Sequence, residues 1–209
     1  PASLAEKPKA IVVISAHWLG STVSVTSHPK PTLIYDYSGF PKHTYELQYP
    51  ALGDPVLAAR IVALLQARGI AAQEDPERGF DHGMFIPMML MFPAADIPVV
   101  QLSIDYHRPA AEHFALGQQL KHLRQEGVLI VASGNTVHNL RTMQRSAADN
   151  QAYEWAIAFD GWVAEQIKQG HNEALVDFQK LGAVAQMAHP SYDHYLPLLY
   201  AAGADRKST

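Results

Sequence analysis

One apolar run, Ile11-Val12-Val13-Ile14, sets the architecture open to this chain. Four β-branched or branched aliphatic residues in a row are too few for a helix. They are also too continuous for a strand with one wet face, so the run reads as a central strand buried on both sides of a parallel or mixed α/β sheet. Ser15-Ala16-His17-Trp18 follow at its carboxyl end, where open α/β sheets place their ligands. A histidine there stands on a rigid element and faces a crevice, which suits a metal ligand. Taken alone, a histidine that caps the strand and bonds a loop carbonyl is the plainer reading, because position in a fold does not fix chemistry.

The rest of the chain repeats the pattern of strand and helix. Ile97–Ile104 and Val128–Ala132 read as two further buried strands, Gly20–Thr26 as an outer strand and Ile70–Glu74 as a short one. Asp54-Pro55 supplies an N-cap followed by proline in the first turn of a helix that stops at Gly69. Further helices are expected over Met84–Phe92 (ended by Pro93), Ala110–Glu126 (ended by Gly127), Asn150–Gln169 and Asp193–Ala202. Between Tyr35 and Pro50 lies a long irregular stretch carrying Tyr35, Tyr37, Tyr45 and Tyr49. It is either a functional or mobile loop or a surface loop pinned by its aromatic rings. The expectation is one α/β domain over residues 1–209, with a central mixed or parallel sheet flanked by helices.

Composition removes several function classes. A net charge of −4, with no basic run, argues against a nucleic-acid partner. Cysteine is absent, so disulfides, thiolate zinc sites and cysteine nucleophiles are excluded, and a cytoplasmic location fits. No apolar run reaches membrane-spanning length and Pro1–Lys9 has no signal-peptide core, so neither a membrane partner nor a leader is expected. The chain has no initiator methionine and enters its first strand almost at once, which points to a segment upstream. Eleven histidines against sixteen lysines and arginines direct attention to metal or proton chemistry.

His17, His82 and His138 each follow a strand or a glycine-broken turn, and His194 opens a late helix. None belongs to a local metal motif, so their proximity cannot be read from spacing. The recurrence of strand, polar loop and histidine at His17 and His138 places those two on loops of one sheet edge. The remaining histidines have plainer readings. His28 and His43 lie in turns; His113, His122 and His171 fall on solvated helix faces or a loop; His107 and His189 sit beside prolines in polar loops.

Five blocks in order resemble the class III extradiol ring-cleavage dioxygenases, and within them the 4,5-DOPA extradiol dioxygenase-like branch. They are Ile14–Trp18, Gly79-Phe80-Asp81-His82-Gly83, Val99–Ile104, Ala132–Asn139 and His194-Tyr195-Leu196-Pro197-Leu198-Leu199-Tyr200. The resemblance implies a LigB-type catalytic-subunit fold and a non-haem metal site, with iron(II) as the family's metal and zinc(II) as a second ion such ligands hold. It makes His17 and His194 metal ligands. His138 becomes an acid/base close enough to count as a third ligand, and His82 a second catalytic histidine near the ring and dioxygen. Asp81 and Asn135 are candidates to support those ligands. The family's first-ligand loop (Gly-His-Gly-Ser-Pro-like, after an N-terminal strand) has no counterpart here, nor has its last strand after Asp205, so a site with fewer protein ligands is expected.

The implied reaction opens a small, DOPA-like catechol with dioxygen. Two histidines and a third ligand on one face leave positions for both catechol oxygens and O2. Neutral imidazoles leave the metal enough positive charge to lower the catechol's pKa. A zinc-dependent hydrolase using the same histidines is the competing expectation, and a non-catalytic metal-binding relative is a third. A homo-oligomer is a further expectation.

Overall fold

The computed structural model describes residues 4, 6–144 and 151–205. Its strands are β1 (Ala10–Gly20), β2 (Val23–Thr26), β3 (Leu33–Ile34), β4 (Ala72–Asp75), β5 (Phe80–Asp81), β6 (Val99–Asp105) and β7 (Val128–Ser133). The helices are α1 (Pro55–Gln66), α2 (His82–Met91), α3 (Ala110–Leu120), α4 (Glu154–Gln169), α5 (Asn172–Val176), α6 (Ala183–Ala188) and α7 (Leu196–Ala204). Five strands form a mixed sheet in the order β4-β2-β6-β1-β7, and β3 pairs with β5 in a separate two-stranded ribbon. β1 runs parallel to β6 and β7, whereas β2 meets β6 antiparallel at Val25 opposite Leu102.

The run that opened the sequence reading is the middle of this sheet. Val12 and Ile14 point into one core with Val100, Leu102, Leu120 and Leu199, and Ile11 and Val13 into a second with Val99, Phe80, Phe85 and Met88. All four β1 residues are fully buried, each contributing about 1.5–3 kcal/mol of apolar transfer. Helices on both faces leave no polar side to alternate toward.

Several expectations are corrected. Gly20–Thr26 is not an outer strand: β2 lies between β4 and β6, and all four of its residues are buried. Its polar–apolar alternation arises because Ser24 and Thr26 are bonded across the sheet. The Ser24 amide donates to Ser103 Oγ at 2.7 Å and the Gln101 amide to Thr26 Oγ1 at 2.8 Å. His113 is not on a solvated face but fully buried, between the Tyr200 hydroxyl at 3.1 Å and the Arg108 carbonyl at 3.2 Å. His189 is buried as well. The late helix starts at Leu196 with Pro197 in its first turn, so His194 sits in the turn before it. The helix expected from Asn150 begins at Glu154, and Asn150 lies outside the described residues, as does the chain beyond Asp205. Among the described residues no helix is long and apolar enough to cross a membrane.

Candidate metal centre

His17 stands where β1 loses its register. Ile14 pairs with Leu102 but Leu19 with Ile104, so the residues between bulge out of the ladder. Ser15 holds the bulge, accepting the His17 amide at 3.2 Å while its hydroxyl donates to Asp81 Oδ1 at 2.8 Å. Asp81 is fully buried and caps α2 through the Met84 amide at 3.2 Å. It also accepts from Gln101 Nε2 and, at 3.3 Å, from Arg78 Nη2. Arg78 in turn reaches the His17 carbonyl at 3.4 Å and lies over the Trp18 ring. One buried carboxylate thereby ties the strand end bearing His17 to the helix start bearing His82. The first turn of α2 leaves no room for bulk: a Cβ at Gly83 would lie 2.3 Å from Ser15 Oγ and 3.0 Å from His17 Cδ2.

The tyrosine-rich stretch brings a second carboxylate to the same place. Asp36 Oδ1 accepts from the His82 amide at 3.0 Å and contacts His82 Nδ1 at 2.7 Å, while Oδ2 is 3.5 Å from His17 Nδ1. Its neighbours are pinned by their hydroxyls: Tyr35 donates to the Leu47 carbonyl at 2.6 Å and Tyr37 to that of Thr44. The Tyr37 ring meets His82 edge-on, with 5.3 Å between centroids. This segment is held by its aromatics, the second of the two sequence alternatives.

The other half of the site is built where β7 gives way to a loop. The His138 amide donates to the Ala188 carbonyl at 2.9 Å, and the Asn139 side chain to Met187 at 2.7 Å. His189 Nε2 contacts the Thr136 carbonyl at 2.7 Å. The Asn135 amide donates to the His194 carbonyl at 3.0 Å, so Asn135 supports the site through its backbone. At Gly134 the loop crosses the turn before α7 so closely that a Cβ would sit 2.2 Å from the His194 carbonyl oxygen. His194 Nδ1 is bonded to Asp193 Oδ2.

Four imidazoles from separate segments converge. Ring centroids are 3.9 Å apart for His17 and His82, and 5.0 Å for His17 and His194. His138 and His194 stack at 3.4 Å, within 10° of parallel. Two groups of ligand atoms each fall within 4.8 Å: His17, Asp36 and His82, and His138, Asp193 and His194. Carboxylates only accept, so Nδ1 carries the hydrogen in His82 and His194, leaving the Nε2 lone pairs free. That donor set of imidazoles and carboxylates fits a divalent cation.

Charge follows from this crowding. Burial lowers the His17 pKa, with further lowering from His82 and His194 against the opposing pull of Asp36 and Asp81. Burial and His194 lower that of His138. Burial pushes the Asp193 carboxyl upward, but hydrogen bonds from His194 and Ser191 outweigh it and leave the group well below the usual carboxylate range. Asp36 follows the same balance, with His82 as the donor. Near neutral pH His17 and His138 are therefore biased toward the neutral form that binds metal.

Sequence reasoning missed Asp36 and Asp193 and gave His189 no role in the site. Asp193 was legible as the carboxylate just before a candidate ligand. Asp36 had no signal beyond its place among tyrosines. His28, His43, His107, His113, His122 and His171 take no part in either group of ligand atoms.

Comparison with known proteins gives the family of this fold. The family model for the catalytic LigB subunit of aromatic ring-opening dioxygenase matches residues 1–208. The 4,5-DOPA dioxygenase extradiol of Escherichia coli (strain K12) is 44% identical over 201 residues, covering 95% of this chain and 73% of that protein. The protein of the same name from Beta vulgaris is 42% identical over 200 residues, covering 95% and 74%. A crystal structure of an uncharacterized protein from Escherichia coli K12 superposes with a TM-score of 0.81 at 40% identity, covering 98% of this chain and 78% of the other. These matches do not favour a zinc hydrolase or a non-catalytic relative. With the family model matching nearly the whole chain and relatives at 44% and 42% identity over 95% of it, this chain belongs to the LigB family of aromatic ring-opening dioxygenases, and its activity is extradiol ring cleavage.

Proposed function

We propose that the chain opens a DOPA-like catechol, with His17 and His194 holding the metal and His138 moving the proton. The observation that carries this reading is the cluster itself: His17 and His194, from opposite ends of the chain, lie 5.0 Å apart with His138 stacked on the latter. The substrate class comes from relatives whose names specify 4,5-DOPA.

The native metal in this reading is iron(II), which His17 and His194 would hold and which would supply Lewis acidity toward the catechol and redox chemistry with dioxygen. The protein's own residues do the rest. His138 takes a proton from the second catechol hydroxyl and returns it as the ring opens; a base so placed is worth on the order of a hundred- to ten-thousand-fold in rate. His138 shares a group of candidate ligand atoms with His194 and Asp193 and would serve as a third imidazole when the substrate is away. His82, oriented by Asp36, offers a second proton site on the side of Tyr37. Asp193 fixes the tautomer of His194, and Ser15 and Asp81 fix the bulge that aims His17.

Metal analysis beside a catechol assay tests the assignment. Protein loaded anaerobically with iron(II) should, on exposure to air, yield the yellow ring-opened product. His17→Ala should lose both metal and turnover, whereas His138→Ala should keep metal and lose most turnover. Full metal retention in His17→Ala removes it from the ligand set.

A further inference from the structure

We propose that Arg141 recognises a carboxylate on the substrate's side chain, making it a specificity-determining residue. This inference rests on the catechol reading above and concerns the part of the substrate away from the metal.

A cavity of about 230 Å³ opens against His138 and is lined by His138, Asn139, Leu140, Arg141, Pro190 and Ser191. On the catechol reading His138 meets the reacting hydroxyls, and Arg141 follows three residues later in the same wall. Successive turns, with the Thr142 amide on the Asn139 carbonyl at 3.3 Å and the Met143 amide on that of Leu140 at 3.4 Å, curl the loop back on itself. The Cα atoms of His138 and Arg141 are thus no more than about 10 Å apart even at full extension. A catechol whose hydroxyls meet His138 therefore carries its ring substituent along the wall that also bears Arg141.

The charge pattern supplies the second observation. Among the described residues, the side chains of Arg68 and Arg141 have no ion pair or hydrogen bond, whereas Arg60, Arg78, Arg108 and Arg124 each meet a carboxylate; of the two unpaired ones, the exposed Arg141 alone lines this cavity. Asp193, the carboxylate grouped with His138, is already engaged by His194 and Ser191. A planar guanidinium left unpaired on the wall of a cavity beside the proton-moving histidine is suited to bidentate capture of a carboxylate. A neutral or cationic side chain gains nothing from it.

Two probes with the same ring separate the possibilities: 3-(3,4-dihydroxyphenyl)propionate, which carries the carboxylate, and 4-ethylcatechol, which does not. Binding is measured by calorimetry on the metal-loaded chain without oxygen, and turnover in air. The wild type should bind the carboxylated probe roughly ten- to a hundred-fold more tightly. Arg141→Met should remove that preference, bringing the carboxylated probe to the affinity of the neutral one, with the loss appearing in KM more than kcat. Arg141→Lys should restore part of it. Equal binding of both probes by the wild type, or a preference that survives Arg141→Met, overturns the proposal while leaving ring cleavage standing. A wild type that binds neither probe and opens neither ring overturns the catechol reading and this inference together.

Discussion

Replacing Gly134 by alanine should disable the enzyme without unfolding it. A Cβ there would lie 2.2 Å from the His194 carbonyl oxygen, with His194 Cβ-to-backbone atoms fixed behind it by the start of α7. Ordinary carbon–oxygen contact needs about 1 Å more than that, and neither partner is the flexible end of a side chain. The loop bearing His138 and the turn bearing His194 must therefore part by roughly that distance, stretching the Asn135–His194 hydrogen bond. Overpacking of this kind costs about 1–3 kcal/mol, hence roughly 2–12 °C in Tm for a chain of this size. Displacing a reacting group by about 1 Å costs on the order of a hundred-fold in rate. The assay is kcat on the iron-loaded protein, read beside thermal unfolding and bound metal. Wild-type kcat in a variant whose Tm also stays within about 1 °C would refute the argument that this crossing sets the distance between the two imidazoles.

Asp36→Ala frees His82 from its carboxylate and should lower metal affinity or kcat about ten- to a hundred-fold, which metal titration and the catechol assay check. Asp81→Ala removes a fully buried acceptor from Arg78, Gln101 and Ser15 and should cost about 3–5 kcal/mol in urea unfolding. Burial depresses the His189 pKa to about 4 from 6.5. Between those values the unfolded chain binds a proton that the folded chain refuses, so stability should fall by about 3 kcal/mol as pH drops from 6.5 to 4 and change little from this source above 6.5. His17, His113 and His138 are shifted the same way and add to the slope. Denaturation of the metal-free protein at pH 7, 5.5 and 4.5 measures it, and a flat profile contradicts the assignment. Zinc loaded in place of iron should occupy the centre yet leave no ring-opening activity, since zinc has no redox chemistry.

The sheet was legible because its central strand carries its signal locally: four branched aliphatic residues cannot satisfy any other environment. β2 was harder, since Ser24 and Thr26 mimic a wet face while bonding across strands, and sequence does not display a partner. The segments bearing His17, His82, His138 and His194 could be marked by glycines, strand ends and family-like blocks. Their meeting could not, because it depends on a parallel sheet delivering β1 and β7 to one edge and on a turn before α7 packing over Gly134. Asp36 stayed invisible for the same reason. Nothing around it in sequence predicts that a tyrosine-pinned segment will lay its carboxylate against two histidines at once.

The stacked pair has a consequence for timing. His82 and His194 each have a carboxylate that steadies a proton on the ring, but no side chain among the described residues hydrogen-bonds the ring of His138. Its closest ring neighbour is a parallel imidazole, which becomes electron-poor whenever a cation draws on its lone pair, with the Asp193 carboxylate also within 4.8 Å of its ligand atom. A proton parked on His138 is therefore a transient guest, pushed off again by the neighbour that helped gather the reactants.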